Sequence, residues 1–84
     1  RIPLIEQQLA AGNVCLSLLQ AAQAFGFGAQ WLTGWAAYDP EILARLGVSE
    51  SEAVVGFIHI GSATEQLPER PRPDPMTRLS DWNA

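Results

Sequence analysis

Residues 7–38 read QQLAAGNVCLSLLQAAQAFGFGAQWLTGWAAY and contain no aspartate, glutamate, lysine or arginine. The run is long enough to suggest a membrane-spanning helix, which needs roughly 20 predominantly apolar residues. Polar side chains interrupt it at Asn13, Ser17 and Gln20, however, and Gly26 breaks the helical pattern. We therefore predict no membrane contact. A stretch without charged residues but with scattered polar side chains is typical of a helix inside a protein, where other elements cover it.

The composition of the 84 residues agrees with this interpretation. Only 17% are charged, whereas globular domains average about 25% and small domains expose much surface for their volume. The formal net charge of −4 argues against nucleic-acid binding, which needs clustered basic side chains. We therefore predict a single small or partial domain that buries surface against a partner subunit, a missing half, or both.

The chain has one cysteine and one histidine, Cys15 and His59. These exclude an internal disulfide framework and are too few for a protein-only metal site, so no metal is predicted. Cys15 is interpreted as an inert small hydrophobe, and His59 as a packing residue in an apolar strand. A lone thiol fits a reducing compartment and no signal-peptide pattern is visible, so we predict a cytoplasmic protein.

The pattern from Leu4 to Phe25 is helical, because apolar side chains recur at spacings of three, four and seven residues. They form two apolar faces, and Leu18 belongs to the first of them. A helix that is apolar on two sides usually has neighbours on both. Gly26 supplies a left-handed C-terminal cap. We therefore predict a long, buried core helix within residues 1–26.

Residues 29–62 are predicted to form a strand, a helix and a strand. Ala29–Thr33 reads as a short strand. Ala53–Ile60 (AVVGFIHI) reads as a second strand, apolar on both faces except at its histidine, which is typical of a central strand.

The helix between these strands begins at Asp39-Pro40, where a capping residue precedes a proline suited to the first turn. It is predicted to run over Glu41–Leu46. Residues 63–84 hold most of the remaining proline and arginine, including PERPRPDP at residues 68–75. This composition predicts an extended C-terminal arm without a core of its own.

Several segments, in this order, resemble the C-terminal half of the nitroreductase family, and most of all its short bacterial members. They are the small-residue helix ending in GFG, the strand end WLTG, the proline-opened helix, the strand VVGFIHIG and the segment ERPRPDP. The resemblance covers essentially the whole chain, which is then a partial nitroreductase domain over residues 1–84. It implies an α+β fold whose two strands belong to an antiparallel-type sheet.

The same resemblance implies a function. Family members are flavoenzymes that form homodimers, bind FMN at the subunit interface and pass hydride from NAD(P)H to an oxidised acceptor. The acceptor is a small molecule of nitroaromatic or quinone type. In relatives an N-terminal half carries a segment that grips the FMN phosphate, and this sequence does not show that segment.

The resemblance also suggests cofactor-binding residues. Four consecutive residues match the family's flavin-contacting loop: Trp31, Leu32, Thr33 and Gly34. A glycine there lets backbone approach a flat ring closely. Arg72 matches basic residues that some relatives place on the FMN phosphate, and arginine suits bidentate phosphate contact. From the residues alone, Trp31 is a core aromatic and Arg72 a solvated side chain paired within the arm.

Three functions stay open at this point. The first is the C-terminal part of an FMN-dependent NAD(P)H oxidoreductase. No catalytic residue is assigned for it, because flavin hydride transfer obliges no protein acid or base. The second is a non-enzymatic dimerisation module without flavin. The third is a family fold adapted to another flavin reaction, such as dehalogenation or flavin breakdown.

Overall fold

The computed structural model describes residues 1–82. It contains a long helix α1 (Leu4–Ala24), a strand β1 (Gly28–Leu32), a short helix α2 (Pro40–Arg45) and a strand β2 (Phe57–Gly61). Single 3-10 turns lie at Trp35–Ala37 and Pro75–Arg78. The chain is thus an α+β fragment, as predicted, and is consistent with a nitroreductase-like fold.

The end of α1 follows the prediction closely. Gly26 has φ = 86°, and its N–H donates to the Gln23 carbonyl at 2.9 Å. The N–H of Phe27 donates to the Ala22 carbonyl at 3.0 Å. This pair of bonds is the Schellman arrangement, which satisfies helix carbonyls that have no partner inside the helix. The chain therefore reverses within three residues and enters β1.

The two strands pair antiparallel, with Gln30 opposite His59 and Leu32 opposite Phe57. Directly opposed residues share a face, and side chains alternate along each strand. One face therefore carries Trp31, and α1 packs against it. The other face carries the side chains of Gln30, Leu32, Phe57 and His59. We call the first the helix face and the second the groove face.

The strand boundaries differ from the prediction in one respect. β2 begins at Phe57 instead of Ala53, because β1 ends at Leu32 and residues 53–56 have no strand opposite them. Within residues 1–82, β2 also has β1 as its single neighbour. The interpretation of residues 53–60 as a central strand is therefore wrong for the described part of the chain.

α2 begins one residue before the predicted start, with Pro40 in its first turn. Asp39 occupies the cap position, but its side chain makes no capping hydrogen bond. Gly47, with φ = 79°, ends the helix. A turn follows in which the Ser49 N–H donates to the Glu52 carboxylate at 2.9 Å. That bond holds the pKa of Glu52 below its usual range.

Within residues 1–82, α1 is mostly exposed, so the burial predicted for it needs cover from outside this part of the chain. Only Cys15 and Ala22 are buried in the helix, and the single buried hydrophobic residue elsewhere in residues 1–82 is Ala37. The two-stranded sheet covers one stripe of α1 and leaves the rest in solvent. Leu18, assigned to a core face, is 44% exposed, and Val14 is 68% exposed.

The C-terminal arm contains no helix or strand between Gly61 and its 3-10 turn. Its side chains are exposed through residue 82. Asp74 starts the turn by accepting the Met76 N–H at 3.0 Å on its carboxylate. Residues 83 and 84 of the predicted arm lie outside the described residues. None of the helices in residues 1–82 is long and apolar enough to cross a membrane.

Candidate functional site

The groove face of the sheet opens into a cavity of about 620 Å³, which we call the apolar groove. Its lining residues come from the end of β1, the turn that follows, α2 and β2: Leu32, Thr33, Gly34, Ala36, Ile42, Leu46, Phe57 and His59. Three of the four predicted loop residues thus lie together in one cavity. The strand end that the sequence singled out is also the rim of a concave surface.

The walls of the apolar groove follow from register and helix spacing. Leu32 and Phe57 are directly opposed in the sheet and present their side chains together. Ile42 and Leu46, four residues apart, lie on one side of the segment formed by α2 and its cap. Concave apolar surfaces with a few polar groups are the usual form of small-molecule sites. Here Thr33 supplies a hydroxyl at the rim.

Gly34 leaves backbone exposed at the rim of the groove. Its φ of 70° lies in the left-handed region, where side chains are strained. A Cβ built on Gly34 would meet no atom within 4 Å. The open space beside this backbone is therefore available to a bound molecule.

A second cavity of about 880 Å³ adjoins the apolar groove, and His59 lines both. Its lining includes Gln30 from β1 and both Arg70 and Arg72 from the arm, so we call it the arginine groove. The Nε of Arg72 lies 4.0 Å from the Glu69 carboxylate, and both side chains are exposed. Such a surface pair is weak and leaves the guanidinium accessible.

The indole of Trp31 lies on the helix face. Its Nε1–H donates to the Val55 carbonyl at 3.0 Å, and its ring lies against Gly56 and Gly12. The structure therefore brings residues 32–34 together in the apolar groove, places Arg72 in the adjoining groove, and directs the Trp31 side chain to the opposite face.

Two groups of site residues escaped the sequence interpretation. His59 was assigned to packing, yet it is exposed and lines both grooves. The sequence feature that could have identified His59 is strand alternation, because a residue two positions after Phe57 lies on the same face of the sheet. Ile42 and Leu46 were readable as an apolar pair at helical spacing. That spacing could not show which sheet face α2 approaches.

Comparison with known proteins gives the family. The model of the Nitroreductase family matches residues 2–62, which run from the start of α1 through β2. The chain is 32% identical over 62 residues, 74% of its length, to the protein named "Putative NAD(P)H nitroreductase YdjA" of Escherichia coli strain K12. The protein of the same name from Escherichia coli O157:H7 matches equally.

The aligned part is 34% of the length of those proteins, so the chain spans about a third of the curated relatives it matches. The family match includes every residue that lines the apolar groove and ends before Arg72. On a match that covers α1, both strands and α2, this chain belongs to the nitroreductase family.

Proposed function

We propose that this chain is part of an FMN-dependent NAD(P)H oxidoreductase that reduces nitroaromatic or quinone-type acceptors. Family membership and the name of the Escherichia coli relatives support an oxidoreductase of this class. The observation that carries the proposal is the apolar groove, in which Leu32, Thr33 and Gly34 line a cavity that meets the arginine groove at His59.

The residues present fit FMN in chemical type. The molecule has a flat, largely apolar ring system at one end and a phosphate at the other. The apolar groove offers Leu32 and Phe57 to such a ring, and open backbone at Gly34. The arginine groove offers Arg72, whose guanidinium geometry matches phosphate oxygens. An apolar surface and a cationic surface therefore adjoin, as the ring and the phosphate of FMN would need.

When bound, FMN supplies the redox chemistry, and the protein supplies binding, orientation and electrostatics. Leu32 and Phe57 would exclude water from the ring. Thr33 would offer its hydroxyl to a polar ring edge, and Gly34 would let backbone approach. Arg72 would pair with the phosphate. We assign no catalytic residue, because none of these groups needs to gain or lose a proton.

A homodimer partner subunit belongs to the same proposal. α1 exposes large apolar side chains outside the stripe that the sheet covers, including Leu9 and Val14. Exposed apolar area of this kind marks protein interaction surfaces. The partner subunit and the rest of the polypeptide would cover it. The full protein would act in the cytoplasm on a small-molecule acceptor.

The test uses the full-length protein that carries this sequence. The purified protein is expected to show flavin absorbance, to bind added FMN at micromolar concentration, and to oxidise NADH or NADPH when a nitroaromatic or a quinone is present. A colourless protein that binds no FMN at that concentration would contradict the proposal and favour the dimerisation module. FMN binding without turnover of either acceptor class would favour another flavin reaction.

A further inference from the structure

Trp31 makes a tight set of contacts just before the apolar groove begins. The indole N–H donates to the Val55 carbonyl at 3.0 Å across 24 residues of sequence. The ring lies between Gly12 of α1 and Gly56 of the segment before β2. The residue is nevertheless 37% exposed.

The two glycines accommodate the ring to different degrees. A Cβ built on Gly56 would overlap Nε1 and Cδ1 of the indole, so a side chain there would displace the ring. A Cβ built on Gly12 would lie 3.4 Å from the far edge of the ring, which a small shift relieves. Glycine at position 56 is therefore a requirement of the Trp31 position.

The indole ties the end of β1 to residues beyond the strand ladder. The last paired position of the sheet is Leu32 opposite Phe57. Thr33 and Gly34 follow without a strand partner. The bond to the Val55 carbonyl continues the connection between the two segments past the point where backbone pairing stops. Displacing the indole would release the segment that lines the apolar groove.

We propose that Trp31 is a positioning residue whose indole holds Leu32, Thr33 and Gly34 in the geometry that the cofactor requires, without contacting the flavin. The proposal rests on the proposed FMN function of the apolar groove. It differs from a direct contact between the Trp31 side chain and the flavin ring, because the side chain lies on the helix face and the apolar groove lies on the groove face.

The first experiment compares Gly56→Ala with Gly12→Ala in the full-length protein. FMN affinity is measured by flavin fluorescence at a temperature well below each variant's melting transition. Gly56→Ala is expected to weaken FMN binding about tenfold because it displaces the indole. Gly12→Ala adds the same methyl beside the same ring and is expected to change affinity by less than about twofold.

A second pair of variants separates positioning from general stability. Trp31→Phe keeps a ring but loses the donor to Val55, and is expected to weaken FMN binding about threefold. Leu43→Ala, on α2 and outside the groove lining, removes apolar packing and is expected to lower the melting temperature. Its FMN affinity should stay at the parent value. Loss of stability alone would affect both variants alike.

A double-variant cycle tests transmission through the ring. Once Trp31 is alanine, adding Gly56→Ala should weaken FMN binding much less than it does in the parent, because only the contact of its Cβ with the Leu32 carbonyl, at 3.2 Å, remains. Fully additive effects would overturn the positioning role. So would a Gly56→Ala protein that binds FMN like the parent, or a Trp31→Phe protein whose bound flavin becomes strongly more fluorescent, which indicates direct quenching contact. If the parent binds no FMN, the proposed function itself fails.

Discussion

The two faces of the β1–β2 sheet differ in what lies against them. On the helix face, Trp31 fills the space that Gly12 and Gly56 leave, and α1 packs against its ring. On the groove face, Gly34 leaves space that nothing in residues 1–82 fills. The difference shows that a glycine can make room for a side chain of the same protein or can leave backbone open to a bound molecule. Only its neighbours across the fold distinguish the two.

The largest expected effect comes from removing the Trp31 side chain from the helix face. Trp31→Ala should lower the free energy of unfolding by about 3 kcal/mol, near the lower end for tryptophan because the side chain is partly exposed. Chemical denaturation of the full-length protein measures it. Trp35→Ala is the control, since that residue is 74% exposed and should cost under about 1 kcal/mol. Equal losses would show that the helix face is not closed by Trp31.

The second prediction concerns the outer side of α1, which the sheet does not reach. Val14→Asp should convert the full-length dimer to monomer at micromolar concentration, because it would bury an unpaired charge in the interface. Sedimentation measures the change. Asn13→Asp adds the same charge at the neighbouring position, on the polar stripe between the apolar faces, and should leave the dimer intact. A monomeric parent protein would refute this prediction.

The third prediction concerns a side chain placed in the open space beside Gly34, at the apolar groove. Gly34→Val should weaken FMN binding by about tenfold or more, because a branched side chain would stand where backbone meets the ring. Gly47→Val is the matched control: that glycine has φ = 79°, also in the left-handed region, with no atom within 4 Å of a Cβ, but it does not line the groove. Both should lose stability from backbone strain. Equal FMN affinities would remove Gly34 from the site.

The smallest expected effect concerns the arginine groove. Arg72→Ala should weaken FMN binding about threefold at low salt, and the loss should shrink as ionic strength rises, because an exposed phosphate contact is screened. Titrations at two salt concentrations measure it. Arg78→Ala removes the same charge further along the arm and should have no effect. A salt-independent loss would indicate that Arg72 acts through packing instead.

Much of the fold was predictable from local chemistry. The end of α1 at Gly26 and the proline-opened α2 depend on residues adjacent in sequence, and the structure agrees. The start of β2 and the sheet face on which Trp31 lies were not predictable in the same way. Both depend on which residues of the other strand lie opposite, and a shift of one residue reverses every side chain.

The candidate site was predictable to a similar degree. The segment from Leu32 to Gly34 was singled out by its resemblance to the family's flavin-contacting loop, and these residues do share one cavity. The walls from α2 could not be predicted, because a short amphipathic helix does not encode which sheet face it approaches. The apolar pattern of α1 reports a requirement for cover rather than the source of that cover, and within residues 1–82 the sheet covers only one stripe of the helix.

The three-residue reversal at Gly26 has a consequence for the order in which the chain folds. α1 and β1 are neighbours along the chain, so their contact closes a short loop. The pairing of β1 with β2 must close a loop that includes residues 33–56, at a higher entropic cost. Contacts local in sequence generally form faster. We therefore expect α1 and β1 to associate early, and the indole bond to Val55 to form when β2 docks, as a late event of folding.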